Sequence, residues 1–278
     1  MNSKFKIILL LLLSTGSLFA QDPNFHIYLC IGQSNMEGPA KVEDEDRIPN
    51  ERFKMLAAVD CPDLGRVQGE WTDAVPPLFR CKTCLSPADY FGKTMVANLP
   101  SEVKIGLVNV AVAGSKIEIF DKVKYKEYLD TSAAERPWMI NMANGYGYNP
   151  YQRLVELAQK AQKEGVIKGI LLHQGESNTG DVLWPQKVKK IYDDLLVDLN
   201  LAPNSIPLLA GELVGEDQGG KCASMNKIIA TLPQVIPMAH VVSSEGLPAV
   251  PDKLHFSNVG IREFGKRYAE TMLGLLKP

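Results

Sequence analysis

The sequence predicts an α/β fold: a mainly parallel five-stranded sheet covered by helices on both faces. Three observations point there. Five short runs are apolar on both faces, as strands buried between helix layers must be. Segments with helical periodicity separate the later runs. No repeat or low-complexity tract interrupts the 278 residues, and the 45% hydrophobic content is enough for a substantial core.

Taken in order, the first twenty residues stand apart. Two lysines precede the aliphatic run Ile7 to Leu13, and mostly small residues follow to Ala20. That order is the pattern of a secretory signal peptide, with a run too short to span a bilayer. The chain is therefore read as residues 1–20 signal peptide and 21–278 one domain, exported to the periplasm or outside the cell, with no stable membrane insertion after cleavage.

Phe25 to Ile31 reads as the first strand and Val103 to Val112 as the second. Tyr151 to Lys163 is helical, with Leu154, Leu157, Ala158 and Ala161 on one face and Gly165 closing it. Ile167 to Leu172 is the third strand. Gln186 to Asp198 repeats the helical spacing through Val188, Ile191, Tyr192 and Leu195. Pro207 to Gly211 is a weaker fourth strand, and Ala239 to Val242 a short fifth. Val259 to Leu276 closes the chain as a helix striped by Ile261, Phe264, Tyr268 and Met272, with Ser257 or Asn258 as its cap. Two stretches break the rhythm and read as long insertions, near 41–99 and 116–148.

Thirty basic residues against thirty-two acidic ones leave a net charge of −2, which disfavours nucleic acid as a partner. Of five cysteines, Cys30 lies in the first strand as a small core residue. Cys61, Cys81, Cys84 and Cys222 remain, and export makes one bridge among the first three of these the expectation. Cys81 and Cys84 have no second ligand pair at suitable spacing, so no metal is expected.

Chemistry in open α/β sheets collects at the carboxyl ends of strands. Four such places carry unusual polar residues: Gly32-Gln33-Ser34-Asn35, Ala113-Gly114-Ser115, His173-Gln174-Gly175-Glu176-Ser177-Asn178, and Asp252-Lys253-Leu254-His255 after the fifth strand. Read alone, Ser34 is a turn or capping serine. A serine nucleophile needs a base to take its proton, an acid to hold the imidazole, and donors for the oxyanion. Ser34, His255 and Asp252 fit the first three roles. The Ser34 amide, the Gly114 amide and the Gln174 side chain are candidate donors, with Gly114 leaving room for close approach. Gln33, Asn35, His173 and Glu176 are candidates for ordering the site or binding substrate, and Glu176 competes with Asp252 as the acid. Trp71 and Trp138, one in each insertion, are either sugar-stacking platforms or packing anchors.

The blocks "GQSNMEG", "VAGSKIEIF", "HQGESN" and "DKLHFSNVG" resemble those of the SGNH-type hydrolases. More narrowly they are similar to the sialate O-acetylesterase-like branch, which includes acetylxylan esterases. The resemblance runs from about Phe25 to the C-terminus. It implies a flavodoxin-like three-layer α/β/α sandwich and removal of acetyl groups from carbohydrates, with no cofactor. It also implies Ser34 as nucleophile, Asp252 and His255 completing the triad, and Gly114 with Gln174 in the oxyanion hole. The broader superfamily has Asn where this branch has Gln174. Acetylated xylan is the favoured substrate and O-acetylated sialic acid the alternative. A secreted lipase or peptidase, or a carbohydrate-binding protein that does not turn over, are the other readings.

Overall fold

A computed structural model describes residues 21–276. The expected signal peptide lies outside the described residues.

The strands are β1 Asp22–Gly32, β2 Phe53–Leu56, β3 Trp71–Asp73, β4 Lys104–Ala111, β5 Gly165–His173, β6 Leu208–Gly211 and β7 Ala239–Val242. The helices are α1 Ser34–Glu37, α2 Pro87–Asn98, α3 Tyr125–Ser132, α4 Pro137–Asn144, α5 Pro150–Ala161, α6 Trp184–Asp198, α7 Asn226–Ile229 and α8 Asn258–Leu276. One sheet runs in the order β3-β2-β4-β1-β5-β6-β7. Every pairing is parallel except β2 with β3.

The sheet thus has seven strands rather than the five read from the sequence. The additional two come from the first insertion. β2 is four residues long and β3 three, and β3 is only half-buried, so neither produces the long apolar run that marks a buried strand. The same stretch supplies α2, a core helix with a complete capping box: Ser86 accepts from the Ala88 amide, and Asp89 accepts from the Ser86 amide at 2.9 Å. The second insertion folds as α3 and α4.

Side-chain alternation along β1 makes the three layers. Ile27, Leu29 and Ile31 face Leu154 and Ala158 of α5 and Val188 and Ile191 of α6. Tyr28 and Cys30 face Phe91 and Met95 of α2 and Phe264 and Tyr268 of α8. Both sides are buried, so β1 is apolar at successive positions, as parallel strands buried on both faces require. Because β4, β1 and β5 run parallel, their carboxyl ends share one edge. The register sets Gly32 beside Ala111 and His173. Cys61 and Cys81 form a disulfide within the first insertion, while Cys30 is buried and unbridged. Among the described residues no helix is long and apolar enough to cross a membrane.

Candidate active site

The Ser34 turn begins where β1 runs out. A Cβ on Gly32 would lie 2.1 Å from the His173 carbonyl oxygen, so only glycine lets β1 pass β5 this closely. The Gln33 amide then donates to that carbonyl at 3.0 Å. Ser34 opens the single turn of α1, whose Met36 and Glu37 amides bond to the Gln33 carbonyl. Asn35, Met36 and Glu37 are buried beneath it. Ser86, at the cap of α2, donates its hydroxyl to the Met36 carbonyl at 2.7 Å and pins the turn from below. Burial lifts the neighbouring Asp89 carboxyl to about 8.

Opposite lies the loop after β7. Asp252 Oδ1 accepts the Leu254 and His255 amides at 2.8 and 3.0 Å, folding the chain back on itself. Lys253 takes the left-handed conformation this demands, with φ of 59°. Asp252 Oδ2 then lies 2.7 Å from His255 Nδ1, and His255 Nε2 lies 2.9 Å from Ser34 Oγ. Partial burial raises the Asp252 carboxyl, but hydrogen bonds from the His255 ring and the two amides outweigh it and hold the group below its ordinary range. A hydroxyl bonded to an imidazole that a carboxylate orients is the arrangement that activates serine for attack on a carbonyl.

Asn35 joins the two supports. Its Nδ2 donates to Glu176 Oε1 at 2.7 Å and to the Leu254 carbonyl at 3.0 Å, and its Oδ1 accepts the Phe256 amide at 3.2 Å. Glu176 therefore serves Asn35, and Asp252 is the carboxylate against the His255 ring. His173 is fully buried, bonded through Nε2 to the Glu212 carbonyl at 3.1 Å, with its ring edge-on to Phe256 and Phe264. Burial holds it below the usual histidine range. It packs the floor of the site.

The donor set differs from the expectation at one residue. The Ser34 and Gly114 amides have no acceptor among the described residues and sit at adjacent strand ends. Gln174, expected beside them, is turned inward and only 1% exposed. Its Nε2 is shared among Gln33 Oε1, the Ser115 carbonyl and Asn178 Oδ1 at 3.1, 3.2 and 2.7 Å, and its Oε1 accepts from Trp184 Nε1. An amide with two protons and three acceptors has none left for an oxyanion. Gln33 is the reverse case. Its Oε1 accepts from Gln174 and from the Ser177 amide, which points its Nε2 the other way, and that nitrogen donates to no group among the described residues.

Several contributors escaped the motif reading. Glu37 accepts the Ala113 amide at 3.2 Å and pairs with Arg80 at 2.6 Å, fixing the Gly114 turn against α1. Burial raises its carboxyl despite the Arg80 contact. Ser177 donates its hydroxyl to the Gly114 carbonyl at 2.9 Å. Both lie inside blocks already singled out, "GQSNMEG" and "HQGESN", so block membership was the available signal. Of the two tryptophans, Trp71 is remote. It packs on Phe25 at 4.8 Å and donates to Glu164, near the start of β1. Trp138 lies against Gly114. Among the described residues no group of three or more His, Cys, Asp or Glu is placed to hold a metal ion.

Comparison with known proteins places the chain in a family. The model of one family, described as carbohydrate esterase, sialic acid-specific acetylesterase, matches residues 24–274. Among solved structures, a protein from Arabidopsis thaliana is 23% identical with a TM-score of 0.68, covering 91% of this chain and 99% of its own. NanS is 16% identical with a TM-score of 0.63, covering 92% and 99%. A carbohydrate acetylesterase from Xanthomonas citri is 20% identical with a TM-score of 0.58, covering 87% of this chain and 55% of its own. At these identities the structural likeness speaks for the fold alone.

Proposed function

The chain belongs to the sialic acid-specific acetylesterase family of carbohydrate esterases, and from that premise we propose that it removes acetyl groups from sugars through an acyl-enzyme on Ser34. The observation that carries this reading is the continuous line from Asp252 through His255 to Ser34 Oγ, at 2.7 and 2.9 Å, ending beside unpartnered donors.

The acetyl carbonyl docks against Ser34. His255 Nε2 takes the hydroxyl proton as Oγ attacks, and Asp252 holds the imidazolium through Nδ1. The developing oxyanion is met by the Ser34 and Gly114 amides and by Gln33 Nε2 in place of Gln174. The tetrahedral intermediate collapses. The ester C–O bond breaks, and His255 delivers its proton to the departing sugar hydroxyl. Water then enters, gives a proton to His255, and attacks the acetyl carbon. Acetate leaves and Ser34 recovers its proton. Gln174 acts at one remove, by orienting Gln33.

Acetylated xylan, favoured from the sequence, has no residue here that argues for it over other sugars. The sialate alternative has one. Arg136 is half-buried beside Gly114, donates Nη1 to its carbonyl at 2.8 Å, and makes no ion pair among the described residues. A guanidinium with free N–H groups at that position suits a substrate carboxylate. Export is part of the same reading, resting on residues 1–20, and N-terminal sequencing of mature protein beginning at Gln21 is its check.

Purified enzyme should release acetate from O-acetylated sialic acid or acetylated xylo-oligosaccharides, and Ser34→Ala should abolish it. Acetate release from neither, with Ser34→Ala indistinguishable from the parent on ethyl acetate, would remove the proposal. Arg136→Ala separates the substrates: a loss confined to the sialate favours the acidic sugar.

A further inference from the structure

We infer that Trp138 is the platform on which the sugar ring of the substrate rests, a specificity-determining residue set directly against an oxyanion donor. The inference builds on the esterase reading above and adds a subsite to it.

The six-membered ring of the Trp138 indole lies so close to Gly114 that a Cβ there would fall 2.1 Å from Cη2. Gly114 also has a left-handed φ of 69°. Any other residue would be strained and would push the ring away, so Gly114 provides both a free amide and a seat for the indole. With the acetyl carbonyl oxygen at the Ser34 and Gly114 amides, the ester oxygen and its sugar lie within a few bonds of whatever flanks Gly114. That neighbour is Trp138.

Trp138 keeps 46% of its surface open, although it sits in a helix with a well-formed buried stripe. Met139 and Ala143 carry that stripe and are both fully buried. The helix is therefore anchored without the indole. Seated on the Gly114 turn, the half-exposed ring presents an open apolar face to whatever binds beside that glycine. The C–H face of a pyranose matches it, being apolar on one side with hydroxyls at the rim. Trp71, the other tryptophan in an insertion, shows the contrasting pattern. Its ring is packed on Phe25, its Nε1 is bonded to Glu164, and it sits away from the site.

Arg136 precedes Trp138 by two residues and is bonded to the same glycine. The short segment Arg136-Pro137-Trp138 thus offers one flat apolar face and one cation beside a single donor turn. Pro137, at the first position of the helix, stiffens it.

The test compares Trp138→Ala and Trp138→Phe on two kinds of ester: acetylated sugars (O-acetyl sialic acid and acetylated xylo-oligosaccharide) and ethyl acetate, which has no ring to stack. The platform predicts that Trp138→Ala lowers kcat/KM on the sugar esters by roughly tenfold or more, chiefly through KM. Trp138→Phe should recover most of that loss, and ethyl acetate should change by less than about twofold in both variants. Equal losses on sugar esters and ethyl acetate would overturn the inference, since Trp138 would then only shape the Gly114 turn. So would unchanged sugar kinetics in Trp138→Ala. An enzyme that cleaves ethyl acetate but no acetylated sugar sinks both the platform and the carbohydrate reading while leaving the serine chemistry standing. Failure on all esters removes the serine chemistry as well.

Discussion

Ser34 and His255 meet at 2.9 Å but stand on supports of opposite kinds. Ser34 rises from the central strand, with Gln33 and Asn35 on either side almost wholly buried and the turn tied to the ends of β4 and β5 through Ala113 and Gln174 and to the cap of α2 through Ser86. His255 sits on a partly exposed loop, shaped mainly by hydrogen bonds to Asp252 three residues earlier. Asn35 is the buried side chain that bonds both supports. In the proposed site, Ser34 and the Gly114 amide are therefore set by the sheet, and the His255 ring is brought to them by a short turn with Asn35 as a polar strut. Such a site should lose activity and stability together on the Ser34 side, and activity alone on the His255 side.

That contrast can be broken most sharply at the base. His255→Ala should lower kcat by about ten-thousandfold to a millionfold, with unfolding free energy in urea changed by less than about 1 kcal/mol. A large drop in stability would mean that the loop is structurally integral after all. Next comes the strut. Asn35→Ala leaves the Glu176 carboxylate, the Leu254 carbonyl and the Phe256 amide without their partner. It should cost about 2–4 kcal/mol of stability and roughly a hundredfold in kcat. If kcat held while stability fell, Asn35 would be a core residue only.

The two glutamines sharpen the comparison inside the donor set. Gln33→Ala should reduce kcat by about a hundredfold at little changed KM, as loss of one oxyanion donor does. Gln174→Ala should cost about 1–3 kcal/mol of stability, from a buried network left open, with a smaller loss of kcat than Gln33→Ala, since the Ser177 amide still holds Gln33 Oε1. The reverse pattern would return Gln174 to the donor set. The smallest effect on turnover is expected at Asp89, under the nucleophile turn. Its carboxyl, lifted to about 8, stays protonated in the fold while the unfolded chain ionises. This group therefore makes the fold less stable as pH rises from about 4 to about 8, with no further loss above that. Denaturation of Asp89→Asn across that range should give a flatter pH dependence than the parent at similar activity.

The comparison also marks what could be read from the chain. β1, β4, β5 and β6 announce themselves because a strand buried on both faces reads as an apolar run, and β7, partly exposed at the sheet edge, still keeps a short apolar run of its own. β2 and β3 do not, since β2 is only four residues long and β3 is three half-exposed residues at the sheet edge. Ser34, Asp252 and His255 carry polar signatures at strand ends and close spacing, which survive without coordinates. The direction of Gln174 does not survive. It depends on Trp184, Asn178 and Ser115 converging on one amide, and no local pattern records that. The seating of Trp138 on Gly114 is equally hidden, because the two are neighbours only across a folded insertion.

The 221 residues that separate Ser34 from His255 also set a clock. During synthesis the nucleophile turn, its donors and the whole sheet are made before Asp252 is. The base arrives last, next to α8, whose Phe264 and Tyr268 share a core with Phe91 and Met95 of α2. Contacts this distant in sequence close late in folding. A growing or truncated chain therefore carries a serine with no partner to take its proton, and the appearance of activity reports that the C-terminal helix has docked.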